Sequence, residues 1–376
     1  MERQGRVYLK TVGLSAIPAP VSPLPFARGR ETGAVKAILI FLFLVIAGAP
    51  AHADNPSVAE FYRGKVVRMV IGIEPGTAYD QYARLVARYL GKYLPGNPAV
   101  IAQNMAGAGS LNAYNYIYNV APRDGTVLGT GHRFVPLMPL LGLPGAQFDG
   151  RKFSYVGSAN REVDICMIRA DSGVASIADW QKKEVLVGTT GAGAELTTFY
   201  ATIAAMLGVK EKVVLGYRSQ NDLYLAIERG EIQGRCGGSY LNLMSEHAQW
   251  IDEKLVNIVM QIGLNKDRAL PSTPLLTDLV TDPGDRSALD LMLSPNEMGR
   301  PYIAPPDTPA DRIAALREAF SEAMNDPDLR ADAKKQLLDI DSISGKKMQE
   351  LVASAYAAPE DVIARARALV SGKQPH

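Results

Sequence analysis

Two stretches of the sequence join a strand pattern to a helix pattern through a turn of small residues. The first runs from the apolar segment 66–73 through Glu-Pro-Gly-Thr-Ala-Tyr-Asp at 74–80, and the second from 184–189 through Thr-Gly-Ala-Gly-Ala at 190–194. The first turn of a helix leaves backbone N–H groups without partners and carries the positive end of the helix dipole. Small residues let a ligand approach that backbone closely. Both turns could therefore bind an anion.

These turns could form a nucleotide site, a site for another anion, or only a connection between a strand and a helix. No stretch has the G-x-x-x-x-G-K-[ST] spacing of a P-loop, and Gly-Thr-Thr-Gly-Ala-Gly at 188–193 departs from the dinucleotide fingerprint. A nucleotide site is therefore excluded. Asp80 also has a structural explanation, because it could cap the following helix and pair with Arg84 four residues later. The repetition of the design favours a ligand held between two lobes.

Residues for catalysis or metal binding are scarce. Beyond residue 53 the histidines are His132, His247 and His376, and Ser239 follows Gly237-Gly238 without the second glycine of a G-x-S-x-G elbow. Two distant cysteines and isolated histidines do not make a metal-ligand set. The sequence therefore predicts a protein that is not an enzyme, without catalytic residues, metal or cofactor. An exported enzyme is the alternative.

The two cysteines, Cys166 and Cys236, lie in strand-like surroundings. In an oxidising compartment an even pair of cysteines can form a disulfide bond if neighbouring strands bring them together. Two buried free thiols are the other possibility, and the sequence leaves both open.

Short apolar runs alternate with amphipathic helical patterns along the chain, which is typical of α/β layers around a mostly parallel sheet. The predicted strands include 99–104, 153–158, 164–169, 213–217, 232–240 and 255–263. Near residue 298 the pattern changes, and Thr-Pro-Ala-Asp at 308–311 predicts a helix that begins with Thr308 as its N-cap. Ile313, Leu316, Phe320 and Met324 then share one face of this helix.

The N-terminal segment has the pattern of an export signal. Lys36 precedes an apolar run at 37–48, and Ala51-His52-Ala53 follows it. This predicts a signal peptide over 1–53 and a mature periplasmic chain from about Asp54. An anchoring helix is the alternative, although the apolar run is too short to cross a bilayer. The formal charge of +1 over 376 residues argues against a nucleic-acid partner.

The chain resembles the extracytoplasmic solute receptors of tripartite tricarboxylate transporters, the Bug or TctC-like family. The segments that carry the resemblance are FYRGKVVRMVIGIEPGTAYDQYARLVARYL, QNMAGAGSLNA, APRDGT, the turn at 189–194 and GRPYIAPPDTPADRIAALREAFSEAMNDPDLRADA. The resemblance implies a two-lobed periplasmic-binding-protein fold, type II-like, each lobe a mostly parallel sheet flanked by helices. Lobe 1 would comprise 57–159 plus 298–376, and lobe 2 would comprise 160–297.

The resemblance also implies a function and a site. A monomeric receptor would bind a small organic carboxylate in the cleft and deliver it to the membrane components of a tripartite transporter, the alternative being a receptor of another transport or signalling system. In this family the ligand carboxylate is held largely by backbone amides and waters from the two turns. The predicted ligand-binding residues are Gly76, Thr77, Ala78, Asp80, Asn160, Thr189, Thr190, Gly191, Ala192, Gly193, Tyr217 and Ser239.

The sequence departs from the family pattern at three places. Thr77 stands where a second glycine is usual, Glu195 places an acid just past the second turn, and Asn-Met-Ala at 104–106 replaces the usual Asn-Arg-Pro. The last change removes a cation. Arg161 or Arg218 could compensate for its loss.

Overall fold

The computed structural model describes residues 57–189 and 195–371. The predicted signal peptide therefore lies outside the described residues, and so do Thr190, Gly191, Ala192 and Gly193 of the second turn. Among the helices of the described part, none is both long and apolar enough to cross a membrane.

Strands and helices alternate along most of the chain. The strands are β1 (Val66–Ile71), β2 (Ala99–Asn104), β3 (Val127–Thr130), β4 (Ser154–Ser158), β5 (Asp164–Arg169), β6 (Val185–Thr189), β7 (Glu211–Leu215), β8 (Gly234–Ser239), β9 (Val256–Ile262), β10 (Pro301–Ala304) and β11 (Ile343–Ser344). The helices are α1 (Val58–Tyr62), α2 (Ala78–Tyr93), α3 (Leu111–Asn119), α4 (Ile177–Lys182), α5 (Glu195–Leu207), α6 (Gln220–Glu228), α7 (Tyr240–Asp252), α8 (Leu276–Leu279), α9 (Pro283–Leu293), α10 (Ala310–Asn325), α11 (Pro327–Lys335), α12 (Gly345–Tyr356) and α13 (Glu360–Val370).

The described strands form two sheets. The first has the order β11-β4-β10-β3-β1-β2, and the second has the order β7-β6-β8-β5-β9. In the first sheet β1 is parallel to β2 and β3, whereas β10 is antiparallel to β3 and β4. In the second sheet β6 is parallel to β7 and β8, whereas β5 is antiparallel to β8 and β9. The predicted α/β class is confirmed.

The sheets are mixed rather than mostly parallel, and the path of the chain explains why. The chain leaves the first sheet after β4 and enters the second sheet at β5; it returns through α9 and a short 3-10 helix, Ser294–Met298, to β10. Strands β5 and β10 thus begin at the edge where β1, β3, β6 and β8 end, and they run in the opposite direction. The lobe boundaries near 159 and 298 remain a prediction.

Each sheet has its own hydrophobic core, and helix α9 packs against both. Leu289 and Leu293 of α9 belong to the core of the second sheet. Leu291 and Met292, on the other face of the same helix, belong to a core of the first sheet. Helix α9, which belongs to the returning chain segment, thus also links the two sheets by its packing.

The two cysteines form a disulfide bond between Cys166 and Cys236. They lie opposite each other in the antiparallel pairing of β5 with β8, and both are fully buried. The structure therefore contains the disulfide bond and not two free thiols.

Helix α10 begins one residue later than the sequence predicts. Its N-cap is Pro309, and the hydroxyl of Thr308 donates instead to the carbonyl of Pro305 at 2.8 Å. The predicted apolar face is confirmed, since Ile313, Leu316, Phe320 and Met324 are all buried.

Candidate functional site

The turn between β1 and α2 is closed by Thr77. Gly76 has φ +83°, whereas Thr77 is extended with φ −75° and ψ 163°. The Thr77 hydroxyl accepts from the N–H of Asp80 at 3.4 Å and donates to the carbonyl of Glu74 at 3.0 Å. Gly76 thus adopts the left-handed conformation, which glycine tolerates, and the extended conformation of the next position suits the β-branched Thr77. Thr77, and not Asp80 as expected from the sequence, is the N-cap of α2.

The Asp80 carboxylate holds the turn in shape. It is 3% exposed and accepts from the Gly76 N–H at 2.9 Å, from Arg84 Nε at 2.9 Å and from Asn104 Nδ2 at 2.8 Å. Burial raises the pKa of Asp80, but these hydrogen bonds and the Arg84 charge lower it below its usual value. The predicted pairing with Arg84 is confirmed. With its oxygens engaged in this way, the carboxylate stabilises the turn.

Two backbone donors remain at this helix start. The N–H of Gly76 is used by Asp80, and the N–H of Asp80 is used by Thr77. The N–H groups of Thr77 and Ala78 have no hydrogen-bond acceptor among the described residues. Unpaired N–H groups in the first turn, together with the helix dipole, suit an anion.

A buried ion network lies where the two sheets meet. Arg133, which follows β3, donates to Glu162 at 2.6 Å and pairs with Asp164. Arg300, just before β10, donates to both oxygens of Glu162 at 2.5 and 2.9 Å. All four side chains are buried. Burial alone would raise the pKa of Glu162, but the guanidinium groups of Arg300 and Arg133 lower it below its usual value. Buried charges are tolerated when they are paired in this way.

Asn296 ties this network to the returning chain segment. Its Oδ1 accepts from Arg133 Nε at 3.2 Å, and its Nδ2 donates to Asp164 at 3.1 Å and to the carbonyl of Ile262 at 3.1 Å. Residues of the outgoing segment, between β4 and β5, and of the returning segment, between α9 and β10, therefore meet in this network.

On one side the network contacts the first turn of α2. The hydroxyl of Tyr79 accepts from the N–H of Arg133 at 3.4 Å, and the guanidinium carbon of Arg300 lies 4.1 Å from the centre of the Tyr79 ring. His132 packs edge-on against Tyr79 with the ring centres 5.2 Å apart. Burial, reinforced by the positive charges of Arg133 and Arg300, lowers the pKa of His132 to about 4, so its imidazole is neutral at pH 7.

On the other side the network contacts the end of β8. Asp164 Oδ1 accepts from the N–H of Gly238 at 2.9 Å, and the side chain of Ser239 helps to lower the pKa of Glu162. Ser239 is also the N-cap of α7, where its hydroxyl accepts from the N–H of Asn242 at 3.2 Å. The start of α2 and the end of β8 are thus connected through Arg133.

The remaining predicted residues of the second sheet lie at the same edge. Thr189 ends β6, and its buried hydroxyl is hydrogen-bonded to Thr197 at 3.0 Å. Its carbonyl accepts from the N–H of Tyr217 at 3.4 Å. Because β6 is parallel to β7 and β8, Thr189, Tyr217 and Ser239 all lie at or near the carboxyl ends of these strands. Open α/β sheets usually bind ligands there.

Asn160 lies on the chain crossing itself. It is buried, its Nδ2 donates to the Tyr82 hydroxyl at 3.4 Å, and its carbonyl accepts from the N–H of Gly299 at 3.0 Å. Within the described part of the chain, its Oδ1 is buried without a hydrogen-bond partner. Asn160 therefore joins the outgoing and returning segments.

The two arginines expected to compensate for the missing family cation have acidic partners of their own. Arg161 binds Asp341 through two hydrogen bonds of 2.8 and 3.0 Å. Arg218 has a side chain that is 91% exposed and lies 3.5 Å from Asp222. Neither arginine is placed as a free cation, and the expectation is not supported.

Sequence reasoning missed the residues that join the two sheets, namely Arg133, Glu162, Asp164 and Arg300. The available signal is a charged side chain directly beside an apolar strand, as at Asp164 before ICMIR. For metal binding, the described residues contain no group of three or more His, Cys, Asp or Glu side chains that could hold an ion.

Solved structures share the fold of this chain. No family model matches the sequence, and no curated protein matches it. A TctC solute-binding protein from Polaromonas superposes with a TM-score of 0.61 at 16% identity, over 82% of this chain and 99% of its own. MatC from Rhodopseudomonas palustris with bound malate gives 0.60 at 18% identity, over 80% and 99%. A second Rhodopseudomonas palustris protein, solved with adipate, gives 0.60 at 16% identity, over 81% and 97%. The chain shares the two-lobed fold of these three structures.

Proposed function

We propose that this protein is a periplasmic solute receptor that binds a small organic carboxylate and delivers it to the membrane components of a tripartite transporter. The observation that carries the proposal is the start of α2, where the N–H groups of Thr77 and Ala78 have no acceptor among the described residues. The fold is shared with a TctC solute-binding protein and with two further proteins that were solved with malate and with adipate. Both of those ligands are carboxylates.

The proposed binding mode follows from charge and helix geometry. One ligand carboxylate accepts from the amides of Thr77 and Ala78, where the helix dipole favours negative charge. Asp80 keeps the turn in the conformation that exposes these amides. The turn 189–193 supplies the second set of amides, and Asn160, Tyr217 and Ser239 complete the site.

The proposed motion is a hinge closure of the two lobes, 57–159 with 298–376 and 160–297, around the ligand. The network of Arg133, Glu162 and Arg300 lies at the crossings and would act as the fixed point of that motion. The receptor works as a monomer, after removal of residues 1–53, and without chemical conversion of its ligand.

A thermal-shift screen of the mature chain against malate, adipate and other organic acids tests this proposal. A ligand at one hundred times its dissociation constant should stabilise the protein by about 2.7 kcal/mol. Calorimetry then measures the affinity, and incubation with the bound acid tests for conversion. The absence of any shift across the acids, or turnover of a bound acid, would contradict a receptor function.

A further inference from the structure

Arg235 on β8 is a buried arginine that has no acidic partner among the described residues. The residue is 2% exposed. Its Nη2 donates to the carbonyl of Gly237 at 2.7 Å, and its guanidinium carbon lies 4.8 Å from the centre of the Tyr224 ring. Across the described residues, Nε and Nη1 are buried without a hydrogen-bond partner, and no carboxylate forms an ion pair with the guanidinium.

This arrangement differs from that of the other buried arginines. Arg133 and Arg300 each pair with carboxylates in the network between the sheets. Burying a charge without a counter-charge is costly, and the guanidinium always carries its charge. Nε carries one of its five N–H donors and Nη1 carries two more. Arg235 therefore has a charge and three donors that no described group satisfies.

The side chain points to the edge where ligands bind in this type of sheet. Strand β8 is parallel to β6, with Gly234 opposite Val187. The contact between Arg235 Nη2 and the carbonyl of Gly237 shows that the side chain extends toward the carboxyl end of β8. That edge is the usual ligand position in open α/β sheets.

Arg235 is also close to the network that reaches α2. A side-chain carbon placed on Gly238 would lie 3.0 Å from Arg235 Nη2, so the two are neighbours. Gly238 donates to Asp164, which pairs with Arg133, and Arg133 donates to the hydroxyl of Tyr79 in the first turn of α2. A continuous series of contacts therefore links Arg235 to the first turn of α2.

We infer that Arg235 binds a carboxylate group of the ligand, as a second anchor besides the amides of Thr77 and Ala78. The inference rests on the proposed receptor function and makes it more specific, because a ligand that uses both anchors carries two acidic groups. The face of the Tyr224 ring packs against the guanidinium of Arg235 and fixes the orientation of the guanidinium plane.

The first experiment replaces Arg235 by an apolar residue of similar length, Arg235→Met. We expect the affinity for malate or adipate to fall by at least about tenfold, because a buried charged hydrogen bond is lost. We expect the melting temperature of the ligand-free protein to stay the same or to rise, because an unpaired buried charge is removed. A purely structural role predicts the opposite pair of results, a lower melting temperature with unchanged affinity, and would overturn the inference.

Two further variants sharpen this result. Arg218→Met is the matched control, because Arg218 is exposed in the same sheet region and has Asp222 beside it; it should change neither quantity. Arg235→Lys keeps the charge and should retain part of the affinity. For the wild type, adipate should bind more tightly than its monoamide, and Arg235→Met should lose this discrimination. Discrimination that survives the substitution would contradict the inference.

Inorganic phosphate separates this inference from the proposed function. At constant ionic strength, phosphate should raise the melting temperature of the wild type and of Arg218→Met more than that of Arg235→Met. If no organic acid binds but this difference is seen, the receptor function fails and Arg235 remains an anion site. The inference is wrong if phosphate raises the melting temperature of all three proteins equally and the affinity for organic acids does not depend on Arg235.

Discussion

Arg133 and Asp164 form a buried ion pair between the end of β3 in one sheet and the start of β5 in the other. The pair connects the hydroxyl of Tyr79 in α2 with the N–H of Gly238 at the end of β8. A change at this point therefore affects the fold and the position of both proposed ligand anchors.

Removing the central acid of the network should destabilise the protein strongly. Glu162→Gln leaves the guanidinium groups of Arg133 and Arg300 buried without their shared carboxylate. We expect the free energy of unfolding to fall by about 3–5 kcal/mol, measured by urea denaturation at pH 7. Asp307→Asn breaks an exposed pair with Arg123 and should change stability by less than about 0.5 kcal/mol. Equal effects of the two substitutions would contradict the importance of the buried network.

Removing one backbone N–H tests the role of the helix start. Proline is tolerated at the first position of a helix, and the extended Thr77 accepts a following proline. Ala78→Pro should keep the fold and weaken binding of a carboxylate roughly 10-fold to 100-fold, measured by calorimetry.

A matched control exists in α10, which also begins with an alanine after an extended residue, Pro309. Ala310→Pro makes the same chemical change away from the site and should leave the affinity as it is. If Ala78→Pro folds and binds like the wild type, the amide of Ala78 does not hold the ligand.

The disulfide bond should contribute measurably to stability. Cys166 and Cys236 are 70 positions apart, and closing a loop of that size corresponds to about 4 kcal/mol of chain entropy. We expect a reducing agent to lower the urea midpoint of the wild type. The double variant Cys166→Ala with Cys236→Ala should have the low midpoint from the start and should not respond to the reductant. A wild-type midpoint that ignores complete reduction, verified by thiol titration, would refute this.

Glu211, at the start of the edge strand β7, should make stability depend on pH. Burial raises its pKa from 4.5 to about 7, and its Oε2 has no hydrogen-bond partner in the described part of the chain. Between these values the unfolded chain has released the proton that the folded protein keeps, so stability falls as the pH rises through this window. Above pH 7 Glu211 is ionised in both the folded and the unfolded chain, so the loss of stability stays constant.

The substitution Glu211→Gln removes this titration. Its stability relative to the wild type should increase from pH 4.5 to 7, by at most about 3 kcal/mol. Urea midpoints across this range measure the effect. The exposed Glu184, beside the start of β6, provides the control Glu184→Gln, whose difference from the wild type should be flat. Parallel curves for the two variants would exclude Glu211 as the source.

Local patterns of the sequence were sufficient for most elements and for the first turn. The predicted strands 99–104 and 164–169 coincide with β2 and β5, because apolar runs bounded by polar residues identify strands directly. The pairing of Asp80 with Arg84 follows from helical spacing, and the structure confirms it. The succession of a strand, a small-residue turn and a helix start likewise needs only neighbouring residues.

Contacts between distant segments were decided only by the tertiary structure. The bond between Cys166 and Cys236 depends on β5 lying next to β8, and the pairing of Glu162 with Arg300 depends on both chain crossings meeting at one point. In the sequence, Arg235 is one basic residue in a glycine-rich strand. That its charge has no partner among the described residues becomes visible only in the fold, because the energy of a buried charge depends on the groups around it and not on its neighbours in the chain.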